Sequence, residues 1–195
     1  MTNLRQHVIS LSAIAVAIYA CLLLSLPDMR PGFVDGLFAR LPLATTLHLS
    51  GGTVALLIGA FQFYPGSRQS NPRLHRWLGR AYVLAIAIAG AAGLLMATRT
   101  PWGGLAQSGF LGMAIAWLIT TTIAFLRIRS RDIHRHQQWM VRSYAVTLSA
   151  VTLRLYLGLM VLLGISFRDG YPWLAWLSWV PNLLIAEWLV RRGSR

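Results

Sequence analysis

Six apolar runs follow one another along the chain, at approximately residues 8–26, 43–64, 75–97, 104–126, 137–164 and 172–190. A helix crosses about 30 Å of hydrocarbon in roughly 20 residues, and every run approaches or exceeds that length. Short connections rich in Pro, Gly, Asp and Arg separate them, such as Pro27-Asp28-Met29-Arg30-Pro31-Gly32 and Ser67-Arg68-Gln69-Ser70-Asn71-Pro72. The pattern predicts an all-α integral membrane bundle of six transmembrane helices. No linker marks a second domain, so residues 1–195 read as one transmembrane domain with core helices over 43–164. The first run resembles a signal peptide in length but lacks an Ala-x-Ala-like cleavage site after it, and is kept as a helix.

Composition agrees with the pattern and adds a direction. With 56% hydrophobic and only 12% charged residues, the chain cannot hide its apolar surface in a soluble core of ordinary size. The single cysteine, Cys21, excludes an intrachain disulfide and suggests no thiolate metal site. All 18 basic residues are arginine and the net charge is +13, but they fall between the apolar runs. Lipid phosphate and topology therefore explain them better than nucleic acid does. Thirteen of them, from Arg5 and Arg68 to Arg195, gather on one side of the alternating connections. Only Arg30, Arg40, Arg99 and Arg168 fall on the other, together with Asp28, Asp35 and Asp169. The excess predicts that both termini are cytoplasmic, so segments three and five run the same way, from inside to outside.

Both of those segments open on one motif. Trp77-x-x-Arg80-x-Tyr82 and Trp139-x-x-Arg142-x-Tyr144 each follow a histidine, His75 and His136. Imidazoles at matching depth on two membrane helices are chemically suited to gripping a metal-centred cofactor, although a lone interfacial histidine is unremarkable. His75 lies two residues before its Trp and His136 three, which turns the rings about 100° apart relative to the motif. On a helical stripe His75 is followed by Gly79, Tyr82, Ile86, Ala89 and Gly93, and His136 by Met140, Ser143, Thr147, Ala150 and Arg154. The second segment repeats the small-residue pattern with His48, Gly52, Ala55, Gly59 and Gln62. Small side chains allow either close helix packing or room for a flat ligand.

His48 and Arg154 lie within apolar runs, where ionisable residues are costly and by default functional. Arg154 keeps its proton and needs an anionic or carbonyl partner, yet no Asp or Glu occurs at its depth. Glu187 sits near the cytoplasmic end of segment six. The counter-ion is either a ligand carboxylate or, if the side chain snorkels, lipid phosphate. A metal site drawn from His75, Asp132, His134 and His136 is a weaker alternative without an established spacing. No nucleophile elbow or phosphate loop points to hydrolase chemistry, and whether the protein is an enzyme stays open.

The strings Pro72-Arg73-Leu74-His75-Arg76-Trp77-Leu78-Gly79-Arg80-Ala81-Tyr82, His136-Gln137-Gln138-Trp139-Met140-Val141-Arg142-Ser143-Tyr144-Ala145 and Thr152-Leu153-Arg154 resemble an uncharacterised bacterial family of multi-pass membrane proteins, a domain of unknown function. The likeness covers about residues 40–160 and implies a multi-pass protein of the bacterial inner membrane. More distantly, histidines on segments two, three and five resemble the ascorbate-reducible transmembrane cytochrome b family, whose four core helices hold two b haems by paired histidines. The chain departs from that pattern because segment four, Gly104 to Leu126, contains no histidine to pair with His48.

The resulting expectation is a membrane electron-transfer protein with one b haem near the cytoplasmic face. His75 and His136 are its expected iron ligands, with Gly79 against the porphyrin, Arg73, Arg76 or Arg142 near the propionates, and Arg80 as a further cofactor-binding residue. His48 and Arg154 are expected to line an outer pocket for a quinone or second cofactor. The alternatives are a small-anion transporter using the His48 and Arg154 interior, and a non-catalytic subunit of a membrane complex. Expected partners are the lipid bilayer, a redox partner and a second copy of the chain.

Overall fold

A computed structural model describes residues 2–63 and 67–193, all helix, turn or connection, with no strand among them. Arg195, the side chains of Arg5 and Arg68, and Tyr64 at the end of the second expected segment lie outside the described residues. The helices are α1 (Thr2–Ser25), α2 (Gly32–Arg40), α3 (Pro42–Gln62), α4 (Ser67–Ser70), α5 (Pro72–Thr98), α6 (Gly103–Arg129), α7 (Ile133–Thr147), α8 (Ser149–Leu162), α9 (Phe167–Leu177) and α10 (Val180–Gly193), with a short 3-10 turn at Pro27–Met29. Among the described residues, six helical stretches are long and apolar enough to cross a membrane: Gln6–Ser25, Pro42–Gln62, Pro72–Thr98, Gly103–Arg129, Ile133–Leu162 and Phe167–Gly193.

Each expected segment is present, and several extend past their apolar run. The polar ends stay helical because a cap or an interfacial arginine serves them, as where Ser130 and Asp132 take over from the arginine-rich end of α6. α2 occupies part of the stretch between the first two apolar runs. It forms because Pro31 ends the preceding turn while Asp35 in the first turn and Arg40 in the last match the helix dipole.

Segments five and six are discontinuous. Segment five breaks at Leu148, where the N–H groups of both Val151 and Thr152 turn to the Leu148 carbonyl, at 2.9 and 3.1 Å. Segment six breaks at Ser178 and Trp179. Pro181 explains that second break, since it has no N–H for the Leu177 carbonyl and its ring crowds the preceding turn.

The chain forms two compact units, Met1–Ala92 and Gly93–Arg195. In the first, α1 packs on α3, and α3 meets α5 at close quarters. A Cβ on Gly51 would lie 2.8 Å from the Ala85 carbonyl oxygen and 2.9 Å from Ala89 Cβ, so only glycine allows this approach. Arg30 ties the end of α1 to α2: its Nε donates to the Leu23 carbonyl at 2.7 Å while its guanidinium lies 3.7 Å from the Phe38 ring centroid.

In the second unit α6 is the central partner. Against α9, a Cβ on Gly109 would approach Ala175 Cβ and Trp176 Cδ1 to 2.8 Å, again a contact only glycine permits. Against α7, a buried polar seam runs between the helices. Thr121 and Ser143 hydroxyls are 2.7 Å apart, and Trp117 Nε1 donates to Thr147 Oγ1 at 2.9 Å. Within a span, such hydroxyl and indole groups find each other because lipid offers no alternative partner.

Candidate functional site

The two histidines of the motif occupy the same place in their helices. Asn71 Oδ1 accepts from the Leu74 N–H at 2.9 Å, and Asp132 Oδ1 accepts from the Arg135 N–H at 3.1 Å. Both are side-chain caps of the third helical N–H. One residue later, the His75 N–H bonds the Asn71 carbonyl at 3.0 Å and the His136 N–H bonds the Asp132 carbonyl at 2.9 Å. His75 and His136 are thus each the fourth residue of their helix, α5 and α7. Counted from the cap, the histidines coincide and the Trp-x-x-Arg-x-Tyr part is displaced by one residue. The unequal spacing seen in the sequence therefore belongs to the aromatic motif and not to the imidazoles.

The motif itself divides into an interface pair and an inward ring. Arg80 lies 5.1 Å from the Trp77 ring centroid and Arg142 4.7 Å from that of Trp139, the geometry of a cation over an aromatic face. Three residues apart on a helix, Trp and Arg share one side, while Tyr, five residues after Trp, turns away. Accordingly Tyr82 and Tyr144 are buried and Trp77 is exposed.

Both His48 and His136 have one ring nitrogen held by a main-chain carbonyl. His136 Nδ1 is 2.8 Å from the Ala124 oxygen, and His48 Nδ1 is 3.0 Å from the Ala89 oxygen. A carbonyl only accepts, so Nδ1 carries the proton in each neutral ring and Nε2 carries the lone pair. That is the orientation in which an imidazole ligates a metal. His75, in the first unit, gives its own carbonyl to Gln62 Nε2 at 2.8 Å. His134 is exposed, with Nε2 3.0 Å from Gln138 Nε2. The four-residue metal site drawn from His75, Asp132, His134 and His136 does not assemble: among the described residues no three His, Cys, Asp or Glu side chains are placed to hold a metal ion. Asp132 is instead the helix cap, with Oδ2 3.6 Å from Arg135 Nε.

The arginines fall into different circumstances. Arg73, Arg76 and Arg80 are exposed. Arg142 is only 15% exposed and is committed to Glu187, with Nη2 2.7 Å and Nε 2.8 Å from Oε2. Arg191 Nε holds the other Glu187 oxygen at 2.8 Å. Nothing local in the sequence joins Arg142 in segment five to Glu187 in segment six, 45 residues away. Gly79 is not forced by packing, since a Cβ there would lie 3.7 Å from Gln62 Nε2, an ordinary contact.

Arg154 lies on α8, eight residues before its end at Leu162, or about 12 Å along the axis. Its Nη1 donates to the Ala150 carbonyl at 2.8 Å, one turn back toward α7. The guanidinium is therefore turned into the span and away from the Leu162 end, the reverse of snorkelling. Tyr171 on α9 is buried. Asn182 bridges the two breaks, donating from Nδ2 to the Ala145 carbonyl at 3.3 Å and to Thr152 Oγ1 at 2.9 Å. Sequence reasoning missed Asn182 and Tyr171. Each adjoins a proline, Pro181 and Pro172, which was the available signal for backbone departing from a regular ladder.

These helices define the class: a helical protein with six stretches able to cross a membrane. The chain belongs to the family described as "Predicted membrane protein (DUF2306)", which matches residues 45–190. The match includes both copies of the motif and runs on through Asn182 and Glu187. No curated protein and no solved structure matches the chain. The family is one of unknown function, and no comparison supports the more distant likeness to the cytochrome b family.

Proposed function

We propose that the protein is a membrane electron-transfer protein that binds a b-type haem through His136 and His75. The observation that carries this reading is the 2.8 Å bond from His136 Nδ1 to the Ala124 carbonyl, which presents Nε2 as the ligating nitrogen. His75 takes the same fourth position of its own helix, after the same kind of cap. The haem would supply one-electron chemistry, and two imidazole ligands would leave no open iron position, favouring electron transfer over oxygen chemistry. Arg76 and Arg80 are the arginines suited to the propionates, because Arg142 already neutralises Glu187. A quinone is the redox partner this reading calls for. The family likeness points to a bacterial inner membrane and the arginine distribution supports placing both termini in the cytoplasm, where a second copy or a redox protein would dock. Spectra of the purified protein, oxidised and dithionite-reduced, test the proposal. A preparation without a Soret band, or a band that survives His75→Ala and His136→Ala together, ends it.

A second reading, binding or transport of a small anion, is favoured by one observation. Arg154 directs its charge into the span, where a permanent cation is costly without a role. Anion flux in liposomes that is indifferent to Arg154→Gln would remove this reading.

A further inference from the structure

We propose that Gln62 is a positioning residue for His75, setting from the end of α3 the height at which that imidazole is presented. The inference rests on the reading of His75 as an iron ligand, and its test separates the two.

Gln62 is the last residue of α3, a half-buried polar side chain that closes the stripe of His48, Gly52, Ala55 and Gly59. Its Nε2 donates to the His75 main-chain carbonyl at 2.8 Å. That carbonyl belongs to the first turn of α5, which the Asn71 side chain caps. First turns fray readily, because their N–H groups have no partner within the helix. A donor reaching in from another helix holds this turn, and with it the backbone from which the imidazole projects.

Gly79 makes room for the amide. It lies one turn beyond His75 on the same stripe, and a Cβ there would be 3.7 Å from Gln62 Nε2. The glutamine amide thus rests beside the bare stretch of α5 that follows the histidine.

The same plan recurs in the second unit. There the Ala124 carbonyl of α6 is 2.8 Å from His136 Nδ1. Each tie joins a histidine in the fourth position of its helix to the closing turns of the preceding span. The separation is 13 residues for Gln62 and His75, and 12 for Ala124 and His136. In one case the ring is held, in the other the main chain. A held main chain leaves the ring free to turn about its own bonds, so Gln62 fixes where the imidazole starts and not which nitrogen it presents.

The test uses the full chain in nanodiscs with Gln62→Met, which keeps the length of the side chain and removes the donor without adding charge. Gln62→Asn, too short to reach, is a second variant expected to behave alike. Gln107→Met is the control, since Gln107 is an exposed glutamine that also donates to a main-chain carbonyl, that of Thr98 at 3.3 Å. In the haem-free protein with nitrogen-15 histidine, the His75 ring resonances are expected to move in both Gln62 variants. Amide exchange over residues 72–79 is expected to quicken about tenfold, the worth of one hydrogen bond. Gln107→Met is expected to change neither. With haem bound, Gln62→Met is expected to keep the Soret band, shift the low-spin electron paramagnetic resonance signal and lose haem to apomyoglobin about tenfold faster. A fall in thermal stability with the His75 resonances and the low-spin signal unmoved overturns the inference. A wild-type protein without a Soret band, whose His75 resonances still move in Gln62→Met, sinks the iron-ligand reading and leaves the tie between Gln62 and His75 standing.

Discussion

Asn182 on α10 donates to the main-chain carbonyl of Ala145 on α7, at 3.3 Å, from one broken helix to another. The same amide nitrogen is 2.9 Å from Thr152 Oγ1, beyond the break at Leu148. One side chain thus serves both halves of segment five from the start of α10. Within a bilayer there is no water to take its place. Asn182→Leu removes these bonds and is expected to destabilise the protein by about 1 to 2 kcal/mol. Asn182→Asp is expected to do worse, since a carboxylate meets a carbonyl it cannot serve. Thermal unfolding in a fixed detergent distinguishes them, and equal stability of wild type and Asn182→Leu would show that the bridge is incidental.

Arg142, Glu187 and Arg191 form a second cross-link, and its worth can be isolated. Arg142 is 15% exposed and Glu187 34%, which places the pair between surface and buried ion pairs. A double-mutant cycle on Arg142→Gln and Glu187→Gln is expected to return about 1 kcal/mol of coupling. Glu187→Gln alone should cost more than the double change, because it leaves a shielded guanidinium without its counter-ion. Additive single effects in the unfolding data would mean that the two charges do not sense each other.

What was legible in the sequence was what depends on neighbours along the chain. Length and apolarity gave six spans, while the polar first turns of α5 and α7, from Pro72 and Ile133, lay outside the apolar runs that begin at 75 and 137. The coincidence of His75 and His136 follows from the caps Asn71 and Asp132, whereas the more conspicuous Trp of each motif stands one residue out of step. Partners far apart in sequence were not legible. Glu187 reaches Arg142 across 45 residues, and Asn182 reaches Ala145 across 37. Neither the carboxylate nor the amide advertises which helix it will face. The direction of Arg154 was likewise open from sequence, because a long side chain at that depth can turn either way until a carbonyl holds it.

Adjacent glycines on α3 offer a sharper test of packing. A Cβ on Gly51 would press on the Ala85 carbonyl and Ala89 Cβ, whereas one on Gly52 meets nothing within 4 Å. Gly51→Ala should destabilise the protein by about 1 to 3 kcal/mol through overpacking. Gly52→Ala should be neutral or slightly stabilising, since alanine favours helix more than glycine does. The displaced helix would also strain the 3.0 Å bond from His48 Nδ1 to Ala89. If the two variants unfold at the same temperature, α3 and α5 do not meet as described.

The tautomer of His136 connects the fold to the proposed chemistry and can be measured without any cofactor. The Ala124 carbonyl 2.8 Å from Nδ1 accepts a proton and cannot give one. Nitrogen-15 spectra of the haem-free protein, selectively labelled at histidine, should therefore show the neutral His136 ring protonated on Nδ1. The usual preference of free imidazole for a proton on Nε2 would then be reversed at this position. A ring protonated on Nε2 would present no lone pair to iron, and the structural basis for ligation would be gone. His134 supplies the internal control, because it is exposed and its Nε2 faces Gln138 at 3.0 Å. If haem binds, His136→Ala should abolish the Soret band and His134→Ala should leave it, a contrast that two histidines two residues apart would show only if the helix face decides which one ligates.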